Sequence, residues 1–245
     1  MEFTVERFDA REWSKEVLDG LFAEGFPAFI VADPVGHEYI VRVREWFANY
    51  NLMLVGAGEQ PAATGWGVPI RWNGTVADLP WGYSDTLRRA VEGHEKGHSP
   101  NTLVICGGIV HAAMARQGVA ASLIGALRDW GPCGELPQVI APVRPTLKHR
   151  YPLTPIETFA RWVRPDGLPL DPWLRTHVRS GGQIIAMAPH SQTMVGTVAQ
   201  WEEWTMMQFP ATGHYVIPDG LSTLYVDRAQ DQGTYTEPNV WVQHR

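Results

Sequence analysis

From Val119 onward the apolar residues recur at helical spacing. Val119, Leu123, Leu127 and Trp130 share one flank, with Ala120 and Ile124 beside them. Just upstream, residues 103–110 are a run of β-formers and small residues, which predicts a strand. Arg116-Gln117-Gly118 joins the two, and Gly131-Pro132 stops the helix. The unit is strand, short loop with glycine, helix.

The same patterning orders the rest of the chain. Trp13, Val17, Leu18, Leu21 and Phe22 predict a helix over 11–23. A second helix is predicted from Asp33 as N-cap and Pro34 at the first position to about residue 50, with Tyr39, Ile40, Val43 and Phe47 facing inward. Strands are predicted at 52–55 and 64–72, the latter interrupted by Pro69 and closed by the turn Asn73-Gly74. A helix follows at 83–94, in an excursion long enough to lie over a binding cleft. After a strand at 138–142, residues 144–169 are proline-rich and irregular, with one short helix at 156–163. Asp171 caps, Pro172 opens and Gly181-Gly182 closes a compact helix. Strands at 183–187, 194–198, 221–227 and 239–243 complete the pattern, with a turn or short helix at 201–204.

Composition narrows the class. The 245 residues are 44% hydrophobic and 19% charged, with a formal net charge of -6. That charge argues against a nucleic-acid partner, which needs a basic face. Cys106 and Cys133 make neither a disulfide framework nor a metal cluster, so reduced thiols in the cytoplasm are expected. The charged start MEFTVERFDARE has no signal-peptide core, and no apolar run approaches membrane-spanning length. Eleven tryptophans fit either an aromatic-lined cleft or a Trp-rich core.

The segment from Val110 to Ala121 resembles motif A of the general N-acetyltransferase (GNAT) superfamily, a strand ending in Val-x-Pro followed by Arg/Gln-x-x-Gly-x-Gly/Ala at a helix start. Val110, Gly118 and Ala120 match in kind and spacing. Ala112 stands for the proline and Ala115 for the first Arg/Gln, with Arg116 and Gln117 beside it. Asp171 to Gly182 resembles a second family segment, with Asp171 for an Asn cap and Val178 near a tyrosine position next to His177. The order of elements follows the family from about Ala10 to His190. The resemblance implies an α/β (α+β) fold, a mixed, twisted, mostly antiparallel sheet flanked by helices, with a splayed central strand. It implies one domain over 1–245 with insertions at about 75–100 and 144–170.

It also implies transfer of an acyl group from an acyl thioester, acyl-CoA above all, to the amine of a small molecule. Two alternatives are the same transfer from an acyl carrier protein, and a ligand-binding module without turnover. In such a site the backbone of Ile109, Val110 and His111 pairs with the pantetheine arm. Arg116, Gln117, Gly118, Val119, Ala120 and Ala121 surround the pyrophosphate, because free N–H groups at a helix start hold anions.

Three side chains are candidates for the chemistry. His111 ends the central strand, as a base or as a residue turned away to hydrogen-bond the loop. His177 lies near the family's general acid, or is a structural histidine at a helix C-terminus. Tyr151 lines the acceptor site or packs on the surface. Arg144, Lys148, His149 and Arg150 form either a basic rim for a 3′-phosphate or carrier protein, or a solvated face. Glu202 and Glu203 either hold a cationic acceptor between Trp201 and Trp204 or lie on an exposed turn anchored by those two tryptophans. Cys106, mid-strand and apolar, reads as inert. No residue spacing suits a metal, and no GxxxxGK[ST] is present.

Overall fold

The computed structural model describes residues 3–22, 25–115, 117–130 and 134–244. Local rules account for most of its elements. Asp33 caps the helix α2 (Pro34–Trp46), accepting the Val35 N–H at 3.0 Å, with Pro34 in the first turn. Asp171 does the same for the helix Pro172–Arg179, taking the N–H groups of Trp173 and Leu174 at 2.9 Å each. The remaining larger helices are α1 (Lys15–Phe22), α3 (Tyr83–Glu95) and α4 (Val119–Asp129).

The strands are β1 (Thr4–Arg7), β2 (Asn51–Val55), β3 (Pro61–Ile70), β4 (Thr102–Val110), β5 (Gln138–Val143), β6 (Gln183–Gly196), β7 (Gly213–Val216), β8 (Thr223–Asp227) and β9 (Gln232–Gln243). They form one sheet in the order β1-β2-β3-β4-β5-β9-β8-β7, with β6 along the other edge of β9. Every pairing is antiparallel except β4 with β5.

Alternation along the strands divides two cores. Leu52 and Leu54 join α4 residues Leu123 and Leu127 on one face, whereas Met53 and Val55 meet Leu21 of α1 on the other. The α1 face also carries α2 and α3, through Tyr39, Val43, Leu87 and Val91. Beyond β9, Phe29, Trp201, Phe209 and Tyr235 build a further aromatic core around the helix Val198–Thr205. Trp72, Trp201 and Trp241 are fully buried, so much of the tryptophan content is core.

Some boundaries differ from the sequence pattern. The second helix stops at Trp46, and a 3₁₀ turn covers Ala48–Tyr50. The predicted 156–163 helix ends at Phe159, because Val163 turns to bridge Pro169. The strands expected at 183–187 and 194–198 are one strand, β6, whose register on β9 slips between Ala188 and Gln192. The edge strands β1 and β7 have only four residues each, too few to show periodicity. The Gly131-Pro132 helix stop lies outside the described residues.

Candidate active site

The parallel pairing of β4 and β5 is short. Thr102, Leu103 and Val104 pair with Gln138, Val139 and Ile140, after which β4 continues to Val110 with no strand on that side among the described residues. A bulge sits where the splay begins: Trp66 faces Gly107 and Gly67 faces Ile105, so Cys106 is skipped. Burial raises the Cys106 thiol well above its ordinary value, leaving it inert.

Hydrogen-bond direction shows which backbone groups face the opening. The His111 N–H is donated to Ala62 O at 2.9 Å. Alternation then turns Ile109 and His111 toward β3, and Gly108 and Val110 toward the splay. Of the three residues expected to pair with a ligand arm, Val110 has free backbone groups there, and Gly108 joins it. Glycine keeps the opening clear. A Cβ on Gly107 would lie 2.4 Å from Trp66 Nε1, and one on Gly108 would meet Leu123 Cδ2 at 3.1 Å and Trp173 Cζ2 at 3.9 Å.

At the end of β4 the loop forms a 3₁₀ turn, Ala112–Met114, and then α4 begins. Gly118 has φ +82°, a left-handed conformation that favours glycine, and a Cβ there would meet nothing within 4 Å. The N–H groups of Ala121 and Ser122 already bond to Gly118 O at 3.0 and 3.1 Å. Those of Gln117, Gly118, Val119 and Ala120 have no protein acceptor among the described residues. They lie at the positive end of an 11-residue helix, which suits a phosphate. Arg116 lies outside the described residues.

The three side-chain candidates are not brought together. His111 is on the α1 face, its Nε2 3.9 Å from a Cβ built at Gly20. Its Nδ1 accepts the Ala113 N–H at 3.2 Å, so in the neutral ring Nε2 carries the proton. His177 is on the α4 face and 1% exposed. Its Nδ1 lies 2.9 Å from Nε2 of His244, one ring donating to the other. His177 Nε2 and His244 Nδ1 are buried without a partner among the described residues. Burial, then the neighbouring ring, lowers His177 to about 3; burial, then Arg128, lowers His244 to about 4. Both rings are neutral at working pH. The Trp173 ring stands edge-on to His177 at 4.5 Å, and its far end reaches Gly108, so His177 is one ring removed from the splay. Tyr151 packs in an aromatic cluster with Phe159 and Trp162, at 6.0 and 4.9 Å.

The basic cluster does not survive as a rim. Arg144 is paired with buried Glu237 at 2.7 Å. Lys148 is 1% exposed, donates to Tyr151 O and Leu221 O, and is lowered by burial to about 8. Glu202 accepts the Phe209 N–H at 3.2 Å, an internal role. Among the described residues no group of three or more His, Cys, Asp or Glu side chains is placed to hold a metal ion, and no helix is long and apolar enough to cross a membrane.

Residues that the sequence pattern did not single out complete the site. The Tyr83 ring stands at 88° to Trp66, 5.9 Å away, over the bulge. Burial, then Cys106 and Asp33, hold its phenol well above the ordinary value. Two adjacent glycines within a strand were the available signal for the splay. His244 left no signal, since only the fold carries the chain's end back to His177.

A splayed parallel strand pair running into a helix start with an αL glycine defines a GNAT acyltransferase site. Comparison with known proteins agrees. The chain is 32% identical to arginine N-acetyltransferase AvaD of Aspergillus versicolor, over 89% of this chain and 84% of that protein. The loading GNATL domain of CurA from Lyngbya majuscula superposes with a TM-score of 0.57 at 13% identity, covering 100% of this chain and 98% of that one. The GphF GNAT-like decarboxylase, solved with isobutyryl-CoA, does so with a TM-score of 0.53 at 16% identity, covering 94% and 93%. No family model matches the chain. The chain belongs to the GNAT superfamily. It is an N-acyltransferase that moves an acyl group from a thioester to an amine.

Proposed function

We propose that the donor is acyl-CoA, with acetyl-CoA its simplest form, and that the acceptor is a small basic amine of the arginine class. The observation that carries the donor side is the open edge of β4 leading directly to the free N–H groups at Gly118. The relative's acceptor supports the other side. The pyrophosphate rests on Gln117, Gly118, Val119 and Ala120. The pantetheine arm takes strand-like hydrogen bonds from Gly108 and Val110, where β5 has diverged. One of these N–H groups polarises the thioester carbonyl and holds the oxyanion that forms when the amine attacks. A cytoplasmic location, expected from two cysteines without a disulfide framework, belongs to the same reading.

For proton transfer the proposal favours His177 over His111. The lone pair of His111 is already engaged by Ala113, whereas among the described residues the His177 Nε2 beside Trp173 has no partner. In the tautomer where His244 donates, that Nε2 carries an N–H able only to donate a hydrogen bond; in the other it offers a lone pair, which can take the proton lost by the amine and return it to the departing thiolate. Tyr83, with its raised phenol, is the second proton source at the opening. Tyr151 is assigned to packing. Single-turnover rates of His177→Gln, His111→Ala and Tyr83→Phe across pH test this. A fall of about a hundredfold or more is expected for His177→Gln and little change for His111→Ala. An unchanged rate and pH profile for His177→Gln would leave an ordered water as the proton carrier.

A further inference from the structure

On the face opposite α4, the starts of α2 and α3 and the kink in β6 border an open cavity of about 390 Å³. Its polar lining is Asp33, Ser84, His190, Gln192 and Thr193, with Trp81 on the apolar side. The register slip between Ala188 and Gln192 pushes this part of β6 outward. Ser191 Oγ accepts the Tyr83 N–H at 2.8 Å, clamping the kink to the start of α3.

Two polar groups of this cavity have capacity for a further partner. Asp33 is 3% exposed. Its carboxylate accepts the Val35 N–H and the Ser84 hydroxyl at the positive end of α2, and among the described residues no cationic side chain pairs with it. The other deeply buried acids differ. Asp85 lies against Arg88 and Arg89, Glu237 meets Arg144, and Asp171 takes three backbone N–H groups. A buried carboxylate is stable when a positive group or a full set of donors compensates it. Gln192 also lines the cavity, and among the described residues its side-chain amide has no hydrogen-bond partner, its polar atoms being open to solvent there. An acid without its cation and an unused amide therefore line one small space.

We infer that this cavity binds the cationic end of the amine acceptor, a guanidinium or alkylammonium, between the Asp33 carboxylate and the Gln192 amide oxygen. The inference rests on the acyltransferase reading and adds which feature of the acceptor is recognised, and where. Ser84 in the cavity wall adjoins Tyr83. Tyr83 stands against Trp66, and Trp66 lies against Gly107 of β4. These two rings thus stand between the cavity wall and β4, and an acceptor anchored by its cation extends past them to bring its other end to the thioester.

The test compares arginine, agmatine and lysine with citrulline, whose urea is the neutral counterpart of guanidinium, on wild type, Asp33→Asn and Gln192→Leu. Asparagine still caps a helix, so Asp33→Asn removes charge while keeping α2. For the cationic acceptor that wild type uses best, Asp33→Asn should raise KM about thirtyfold or more, consistent with loss of a buried charge partner. Its kcat, its KM for acetyl-CoA and its KM for citrulline should hold, and Gln192→Leu should act in the same direction with smaller size. An unchanged KM for the cation, or an equal rise for citrulline, overturns the inference. Calorimetry without donor gives a readout independent of turnover. Cation binding to wild type and its loss in Asp33→Asn support the cavity even if no amine is acylated, which would sink the function and not the site. No binding of any of the three cations to wild type, or equal binding to both proteins, overturns the site itself.

Discussion

At the scale of single residues, Gly118 and the His177–His244 pair carry the sharpest expectations. Gly118 has a positive φ and open space where a Cβ would be. Gly118→Asp should leave the fold intact at a cost of about 1–2 kcal/mol for the left-handed conformation. It sets a carboxylate where the pyrophosphate is proposed to bind, so CoA affinity by calorimetry should fall at least tenfold. Unchanged affinity would place the donor elsewhere. The histidines predict a pH dependence of stability. Their folded values, about 3 and about 4, lie below the ordinary 6.5, so the unfolded chain binds more protons between these limits. Their stabilising contribution is therefore complete above pH 6.5 and is lost as pH falls toward 4 and then 3. Each histidine contributes a slope of up to about 1.4 kcal/mol per pH unit. Denaturant midpoints at pH 7, 6 and 5 should drop steeply in wild type and less steeply in His177→Gln. Parallel profiles would mean the pair titrates normally.

At the scale of elements, the helix Pro172–Arg179 matters most because it carries Trp173 to the splay and His177 one ring behind it. Its start is capped by one side chain. Asp171, 2% exposed, accepts N–H groups from Trp173 and Leu174 and also from Leu147, at 2.6 Å, in the loop after β5. Asp171→Ala removes the cap and leaves the Leu147 N–H without its acceptor. The cost should be about 2–5 kcal/mol, the sum of a lost cap and an unmet buried donor. Thermal unfolding should show a lower Tm, and activity should fall even where the protein is folded, because the helix is no longer held against β4. A Tm within a degree of wild type would show that packing alone seats the helix. The β6 kink is the other element-scale feature. The sequence suggested two strands with a break, and the break proved to be an excursion within one strand that walls the cavity.

At the scale of the whole molecule, charge distribution bears on the donor. Arg144 and Lys148 are spent internally, and the chain carries a net charge of -6. An acidic carrier protein is repelled at long range, weakly so at physiological salt, and the expected basic dock is reduced to His149 and Arg150. The same acyl group offered on CoA, on pantetheine and on a carrier protein should be used best from CoA. Pantetheine should lose the pyrophosphate contribution at Gly118, seen as a higher KM. A carrier protein that outperforms CoA would reverse the choice of donor.

The sequence by itself determined the elements whose causes are local. Caps at Asp33 and Asp171, the helical stripe from Val119, and the strand–Gly118–helix unit all rest on neighbours a few residues apart, and they were enough to show the family resemblance. What lay beyond reach depends on distant segments meeting. The splay exists because β5 stops pairing with β4 after three residues while its other edge goes on pairing with β9. The cavity exists because Asp33, Trp81 and Gln192 come from three separate elements. His177 was legible as a candidate, but its neutrality was not, because its partner His244 follows the last strand. The fate of the basic cluster was likewise tertiary: Glu237 and the Leu221 carbonyl, far along the chain, decide that Arg144 and Lys148 face inward. Local spacing fixes backbone conformation, whereas burial and charge pairing are set by whichever segments the completed sheet brings alongside.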